Sequence, residues 1–175
     1  FLLVRLVVVI HRRTQTGNSM CAMKEITTEE ISRAVARMAV DACCLLPDDM
    51  VAGLARARQE ESSPIGQAIL EQLQENAALA RAENMPICQD TGLAVVFASV
   101  GQDVRIVGGD FESAIHEGVR RGYTQGYLRK SCVAEPLFER KNTGDTTPAV
   151  IHARIVPGDA LRLRLAPKGA GSENK

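Results

Sequence analysis

Cys88, Gln89 and Asp90 stand side by side in the loop PICQDTG, Pro86 to Gly92, directly before the apolar run LAVVFASV. A thiol, an amide and a carboxylate are thereby placed together at the start of a strand, where rigid scaffold holds the loop residues that do chemistry. The thiolate form of cysteine is a metal ligand, and neighbouring polar groups orient a substrate beside such a metal. Two further loops gather glycine, proline and polar side chains between apolar elements: RKNTGDTTPAVIH, Arg140 to His152, and PKGAGSENK, Pro167 to Lys175. Loops of this composition often serve as turns and nothing more, and Asp90 has the ordinary alternative of capping the turn before Thr91 and Gly92. The other cysteines, Cys21, Cys43, Cys44 and Cys132, form no C-x-x-C pair of the kind that holds zinc or a ferredoxin-type cluster. Each of them reads as a buried or indifferent thiol. His116 reads as a helix-surface or packing residue, and His152 either as an ordinary strand residue, the reading we favour, or as a donor that supports the NTGD loop. Neither phosphate-binding glycine pattern, G-x-x-x-x-G-K-[ST] or G-x-G-x-x-G, occurs, so nucleotide cofactors are not indicated.

These loops need elements to position them. Thr27 and Glu30 form a capping box, and Ile31, Val35, Met38, Ala42 and Leu45 recur at helical spacing, predicting a helix to about Cys44. Pro47 and Asp48 start a second helix that ends in the polar stretch Gln59 to Ser63. Ser63 followed by Pro64 starts a third, with Ile65, Ile69, Leu70, Leu73 and Leu79 on its apolar face. The run Leu93 to Val100 is apolar on both faces and suits a strand in the middle of a sheet, with a second short strand at Val104 to Val107. Asp110 caps a further helix that ends near Gly122 or Gly126, and Gly118 and Gly122 within it imply close approach of a neighbouring element. AVIHARIV, Pro157-Gly158-Asp159 and LRLRL read as a hairpin, with Leu161, Leu163 and Leu165 buried and Arg162 and Arg164 wet. The fold class is α/β: N-terminal helices, then a mixed β-sheet with an intervening helix.

Composition bounds the rest. The 175 residues make about one domain, and a charged fraction of 24% with 45% hydrophobic residues is that of a folded protein with a core. Lys and Arg number 21, as do Asp and Glu, so no basic field is available for nucleic acid; four Phe, two Tyr and no Trp offer few stacking platforms. Five cysteines, an odd count, disfavour a disulfide scaffold. The first segment, FLLVRLVVVI, is shorter than the ~20 residues a membrane span needs, and its charges His11, Arg12 and Arg13 follow it where a signal peptide has them first. It is the tail of a targeting segment, a peripheral strand, or sequence upstream of a natural start at Met20 or Met23; we favour the last and treat residues 1–22 as a leader outside the fold.

PICQDTG, AVVF, GVRRGYTQGYLRKS, NTGDTTPAVIH and PKGAGSEN, in this order, resemble the α region of the iron–sulfur hydro-lyases, the family of class I fumarate hydratase and L(+)-tartrate dehydratase. The likeness covers Ile26 to the C-terminus. It implies that residues 23–175 are a truncated hydro-lyase α-type catalytic domain, part of a larger catalytic domain, and that the reaction is reversible hydration of fumarate to L-malate, with tartrate dehydration as the alternative. A non-catalytic partner subunit or interaction domain is the reading from another class.

By the same resemblance, Cys88 is a ligand of a [4Fe–4S] cluster whose remaining ligands are expected beyond Lys175, and Asp90 is the carboxylate that handles a proton. Gln89 and Arg129 contact the substrate, Arg129 by pairing with a carboxylate, and Gly171 lies with its backbone against it. Thr146 stands where NTGDN is more usual, and Ala170 interrupts the commoner KGGGSEN. The family also implies a small dicarboxylate substrate, a β subunit or C-terminal region that completes the active site, and an oligomer. A cytoplasmic setting in the tricarboxylic acid cycle follows, with no nucleic-acid or membrane partner. The chain by itself is expected to be inactive.

Overall fold

A computed structural model describes residues 6–10 and 24–169. Its elements in chain order are β1 (Leu6–Ile10), β2 (Lys24–Thr27), α1 (Thr28–Cys44), α2 (Asp48–Glu60), α3 (Pro64–Glu83), β3 (Leu93–Gly101), β4 (Val104–Val107), α4 (Phe111–Gln125), β5 (Val150–Val156) and β6 (Leu161–Lys168). The fold is mixed α/β, with helices first, a mixed sheet afterwards and α4 between.

The helix boundaries follow from local chemistry. At the start of α1, the Thr27 hydroxyl accepts from the Glu30 amide while the Glu30 carboxylate accepts from the Thr27 amide at 2.8 Å, satisfying two amides that the first turn leaves unpaired. Ser63 accepts from the Gly66 amide at the start of α3, and Asp110 from the Ser113 amide at the start of α4. α1 and α4 pack against each other where α4 carries Gly118 and Gly122. A side chain at Gly118 would stand 2.6 Å from the Ser32 carbonyl, and one at Gly122 would stand 2.7 Å from that of Ala36. The buried Ser32 hydroxyl donates to the Ala114 carbonyl at 2.8 Å across the same seam.

The four-stranded sheet runs β1-β6-β3-β5, with β6 antiparallel to β1 and β3, and β5 parallel to β3. Leu6–Ile10, within the segment assigned to the leader, is its edge strand against β6. One face is the core: Ala94, Val96 and Ala98 of β3 and Leu161, Leu163 and Leu165 of β6 are buried with Ile31, Val35 and Met38 of α1 and Ile115, Val119 and Tyr123 of α4. β2 and β4 form a separate parallel pair.

Three expectations change. β5 and β6 are not a hairpin, because β3 lies between them. Their connection crosses the end of β3 instead: the Gly101 amide donates to the Ala160 carbonyl at 3.0 Å, Gln102 to Val156 at 2.8 Å and Asp103 to Gly158 at 3.0 Å. A side chain at Gly101 would collide with the Gly158 carbonyl, so glycine is what lets the turn pass over. Second, β3 is central in the sheet yet the described residues cover it on one face alone, with Leu93 40% and Phe97 43% exposed on the other. Third, four of the five large apolar residues of α3 face outward, Ile65 at 74% exposure, and Leu70 is half-buried, because this helix packs chiefly on α2 and buries only Ala80.

Candidate active site

The loop Pro86 to Gly92 is anchored at both ends. The Ile87 amide donates to the Cys43 carbonyl at 2.9 Å, and the Asn76 side-chain amide donates to the Ile87 carbonyl at 2.9 Å, tying the loop to α1 and α3. At its far end Thr91 is buried, and Tyr123 of α4, wholly buried, donates its hydroxyl to the Thr91 carbonyl at 2.8 Å. Gly92 has φ +57°, a left-handed conformation that a side chain disfavours, and a Cβ there would collide with the Lys168 carbonyl at the end of β6. Between these anchors Cys88 is exposed; its thiol donates to Gln89 Oε1 at 3.3 Å, and its sulfur accepts from the Asp90 amide at 3.5 Å.

Two other segments meet this loop, and a third docks on one of them. The Thr91 hydroxyl donates to the Arg129 carbonyl at 3.0 Å, so Arg129 is seated by its backbone while its side chain is exposed. The Arg129 guanidinium has no hydrogen-bond or ion-pair partner among the described residues. Gly169 lies against Asp90: a Cβ there would be 2.9 Å from Asp90 Oδ2. The NTGDTT loop docks on the segment after Arg129, with Asn142 donating to the Lys130 carbonyl at 2.9 Å and the Thr143 amide to the Cys132 carbonyl at 3.0 Å. The structure therefore brings Cys88, Gln89 and Asp90 to the same end of the sheet as the Arg129 backbone and Gly169. Gly171 lies outside the described residues.

Sequence reasoning passed over the groups that hold this arrangement. Asp145 accepts from the Thr147 amide at 3.0 Å, from the Thr147 hydroxyl at 2.7 Å and from Arg120 Nε of α4 at 2.8 Å. Partial burial works against its ionisation, but the Thr147 and Arg120 hydrogen bonds outweigh that and hold its pKa near 2. His116 Nδ1 accepts from the Ala149 amide at 3.2 Å, which pins the start of β5 to α4. Thr146 is fully buried at φ 65°, and its hydroxyl has no partner among the described residues. Tyr123 and Arg120 were visible only as part of the motif GVRRGY. His152 stacks on Phe97 of β3, with ring centres 5.1 Å apart.

Comparison with known proteins then decides the family. The model of the family "Fumarate hydratase (Fumerase)" matches residues 32–175. The chain belongs to the fumarate hydratase family. It is 36% identical over 119 residues to "Fumarate hydratase class I, aerobic" of Escherichia coli strain K12, covering 67% of this chain and 22% of that protein. It is 34% identical over 129 residues to "Fumarate hydratase 2" of Leishmania major, covering 73% of this chain and 22% of that one. With "L(+)-tartrate dehydratase subunit alpha" of Escherichia coli strain UTI89 it shares 27% identity over 150 residues, 85% of this chain and 49% of the subunit. The chain thus spans less than a quarter of the fumarate hydratases it matches and about half of the tartrate dehydratase subunit.

The donor set can be tested against the iron–sulfur cluster that this family's class I enzymes generally use. Among the described residues no three His, Cys, Asp or Glu side chains stand together so as to hold a metal. Cys43, Cys44 and Cys132 are buried, and burial first raises the pKa of each and keeps it a thiol, with the Cys44 sulfur beside Cys43, Asp41 near Cys44 and Asp145 near Cys132 adding to it; that of Cys43 is pushed up to about 12. Cys88 is the exposed thiol, so the described residues offer one ligand and do not fit a whole cluster by themselves. No helix among the described residues is long and apolar enough to cross a membrane.

Proposed function

We propose that this chain is part of a hydro-lyase that interconverts fumarate and L-malate. What carries the reading is the convergence of the CQD loop, the Arg129 segment and Gly169 at one end of the sheet, in a chain of the fumarate hydratase family. Cys88 would serve as one ligand of a [4Fe–4S] cluster, the others coming from outside the described residues. The cluster, when bound, supplies Lewis-acid assistance to the departure of hydroxide.

The chain's own residues supply binding and proton handling. Arg129, exposed and without a carboxylate partner among the described residues, is suited to pair in a bidentate way with a substrate carboxylate. Gln89 contacts the substrate beside Cys88, and Asp90 handles the proton exchanged at the carbon next to the second carboxylate. The backbone at Gly171 completes the substrate contact. A partner region, a β subunit or further sequence, closes the site, and the setting we propose is the cytoplasm.

L(+)-tartrate dehydration is the second reading, favoured by the greater share of the α subunit that the chain covers. Turnover of malate and of L-tartrate by the full-length enzyme, prepared without oxygen, separates the two. Malate dehydration well above tartrate dehydration supports the first reading, the reverse supports the second, and activity on neither refutes both.

A further inference from the structure

The stretch Leu128 to Cys132, which carries Arg129, belongs to no helix or strand, so its backbone groups have no ladder to pair in. They are held from elsewhere in the chain instead. The Leu128 amide donates to the Tyr123 carbonyl at 3.0 Å. The carbonyls of Arg129, Lys130 and Cys132 accept in turn from the Thr91 hydroxyl at 3.0 Å, the Asn142 side-chain amide at 2.9 Å and the Thr143 amide at 3.0 Å. Leu128 and Cys132 are buried, while Arg129, Lys130 and Ser131 between them are exposed, so the stretch is a bridge seated at both ends.

Two consecutive carbonyls of this bridge thus meet donors from two different loops, Thr91 of PICQDTG and Asn142 of RKNTGDTTPAVIH. Both donors are themselves fixed. Thr91 is 4% exposed, and its carbonyl accepts from the Tyr123 hydroxyl of α4 at 2.8 Å. Asn142 Oδ1 accepts from the Gly144 amide at 2.7 Å while its Nδ2 donates to Lys130, and the loop beyond is fastened to α4 through Asp145 and Arg120.

Arg129 needs such support. Pairing two N–H groups with both oxygens of a carboxylate demands a narrow approach, and an arginine side chain has many rotamers from which to make it. No polar partner among the described residues sets the direction of the guanidinium. What remains to set it is the direction in which the Cα–Cβ bond leaves the backbone, and the peptides after Arg129 and after Lys130 are each held at their oxygen.

We infer that Thr91 and Asn142 are positioning residues for Arg129, fixing from two loops the backbone that aims its guanidinium at a substrate carboxylate. The inference rests on the proposed reading of Arg129 as a substrate contact, and it gives the NTGDTT loop a role that needs no contact with substrate. Thr91 is the stronger of the two, because its hydrogen bond is shielded from water and that of Asn142 is not.

The test uses the full-length enzyme, prepared without oxygen, with whichever of malate and L-tartrate it turns over. Thr91→Val keeps the shape of the side chain and removes the donor, whereas Thr91→Ser keeps the donor. We expect Thr91→Val to raise KM about tenfold with kcat changed less than about threefold, and Thr91→Ser to stay near the parent. In an Arg129→Ala background, Thr91→Val should change KM by less than about twofold, because the group it positions is gone. Trypsin supplies a readout without substrate: Thr91→Val should speed cleavage after Arg129 at least about fivefold, while cleavage after the exposed Arg56 of α2 keeps the parent rate. Asn142→Ala, at an exposed residue, should shift the same readouts in the same direction and carries the test should Thr91→Val not fold.

A parent KM in Thr91→Val, an effect of that variant undiminished in the Arg129→Ala background, or faster cleavage at both sites alike overturns the inference and leaves the catalytic reading standing. An Arg129→Ala enzyme with the parent KM, or a parent enzyme active on neither substrate, removes that reading and the inference with it.

Discussion

The Tyr123 hydroxyl donates to the Thr91 carbonyl at 2.8 Å in a place closed to solvent. One residue of α4 thereby fixes the backbone directly after Asp90, while the Thr91 hydroxyl fixes the backbone at Arg129. Tyr123→Phe keeps the ring and removes the donor, leaving a buried carbonyl without its partner. We expect a loss of about 1–3 kcal/mol, read as a lower urea midpoint at unchanged m-value. An unchanged midpoint would show that the carbonyl finds another donor.

Asp145 and Arg120 give the NTGD loop a dependence on pH. The folded pKa of Asp145, near 2, lies below the ordinary 3.8, so its ionisation stabilises the folded state above pH 4. That contribution is lost as pH falls from about 4 towards 2. Because Arg120 is about half exposed, we expect it to be worth about 1 kcal/mol. Asp145→Asn should lower stability at pH 7 by that amount and flatten its fall below pH 4 in denaturant titrations.

The described thiols should separate by reactivity. Cys88 is exposed, whereas Cys43, Cys44 and Cys132 are buried and held as thiols. With iodoacetamide at pH 8, followed peptide by peptide in a mass spectrometer, Cys88 should label first and the other three only as the chain unfolds. Labelling of Cys43 as fast as Cys88 in the native protein would contradict this packing.

Two glycines make opposite predictions under the same substitution. Gly92→Ala forces a side chain into a left-handed residue and into the Lys168 carbonyl, and should cost at least about 2 kcal/mol or prevent folding. Gly53→Ala, in the middle of α2 with open space around it, should stabilise by about 0.5–1 kcal/mol. Thermal melting of the two variants beside the parent checks both signs.

Much of this architecture was legible in the residues themselves. The Thr27–Glu30 box, Ser63-Pro64 and Asp110 mark helix starts because capping is chemistry between residues three or four apart. The alternation of Leu161, Leu163 and Leu165 with Arg162 and Arg164 correctly gave β6 a buried and a wet face, since the pleat has a period of two. The CQD triplet, the LRKS segment and the order of the motifs pointed to the family whose model matches residues 32–175.

Tertiary structure decided what depends on distant partners. The turn after Val156 looks like a hairpin turn locally, and only the position of β3 between β5 and β6 shows that the chain crosses over a strand end. β3 is apolar on both faces in sequence, yet whether both are covered depends on what packs there, and the described helices cover one. Tyr123 and Arg120 carry no local sign of their work, since their partners Thr91 and Asp145 are 32 and 25 residues away. The sequence by itself thus determined the element starts, the buried alternation and the family, all set by neighbours along the chain. Strand order, the open sheet face and the hydrogen bonds that seat the CQD loop were decided only by folding, because they are contacts between residues that spacing does not relate.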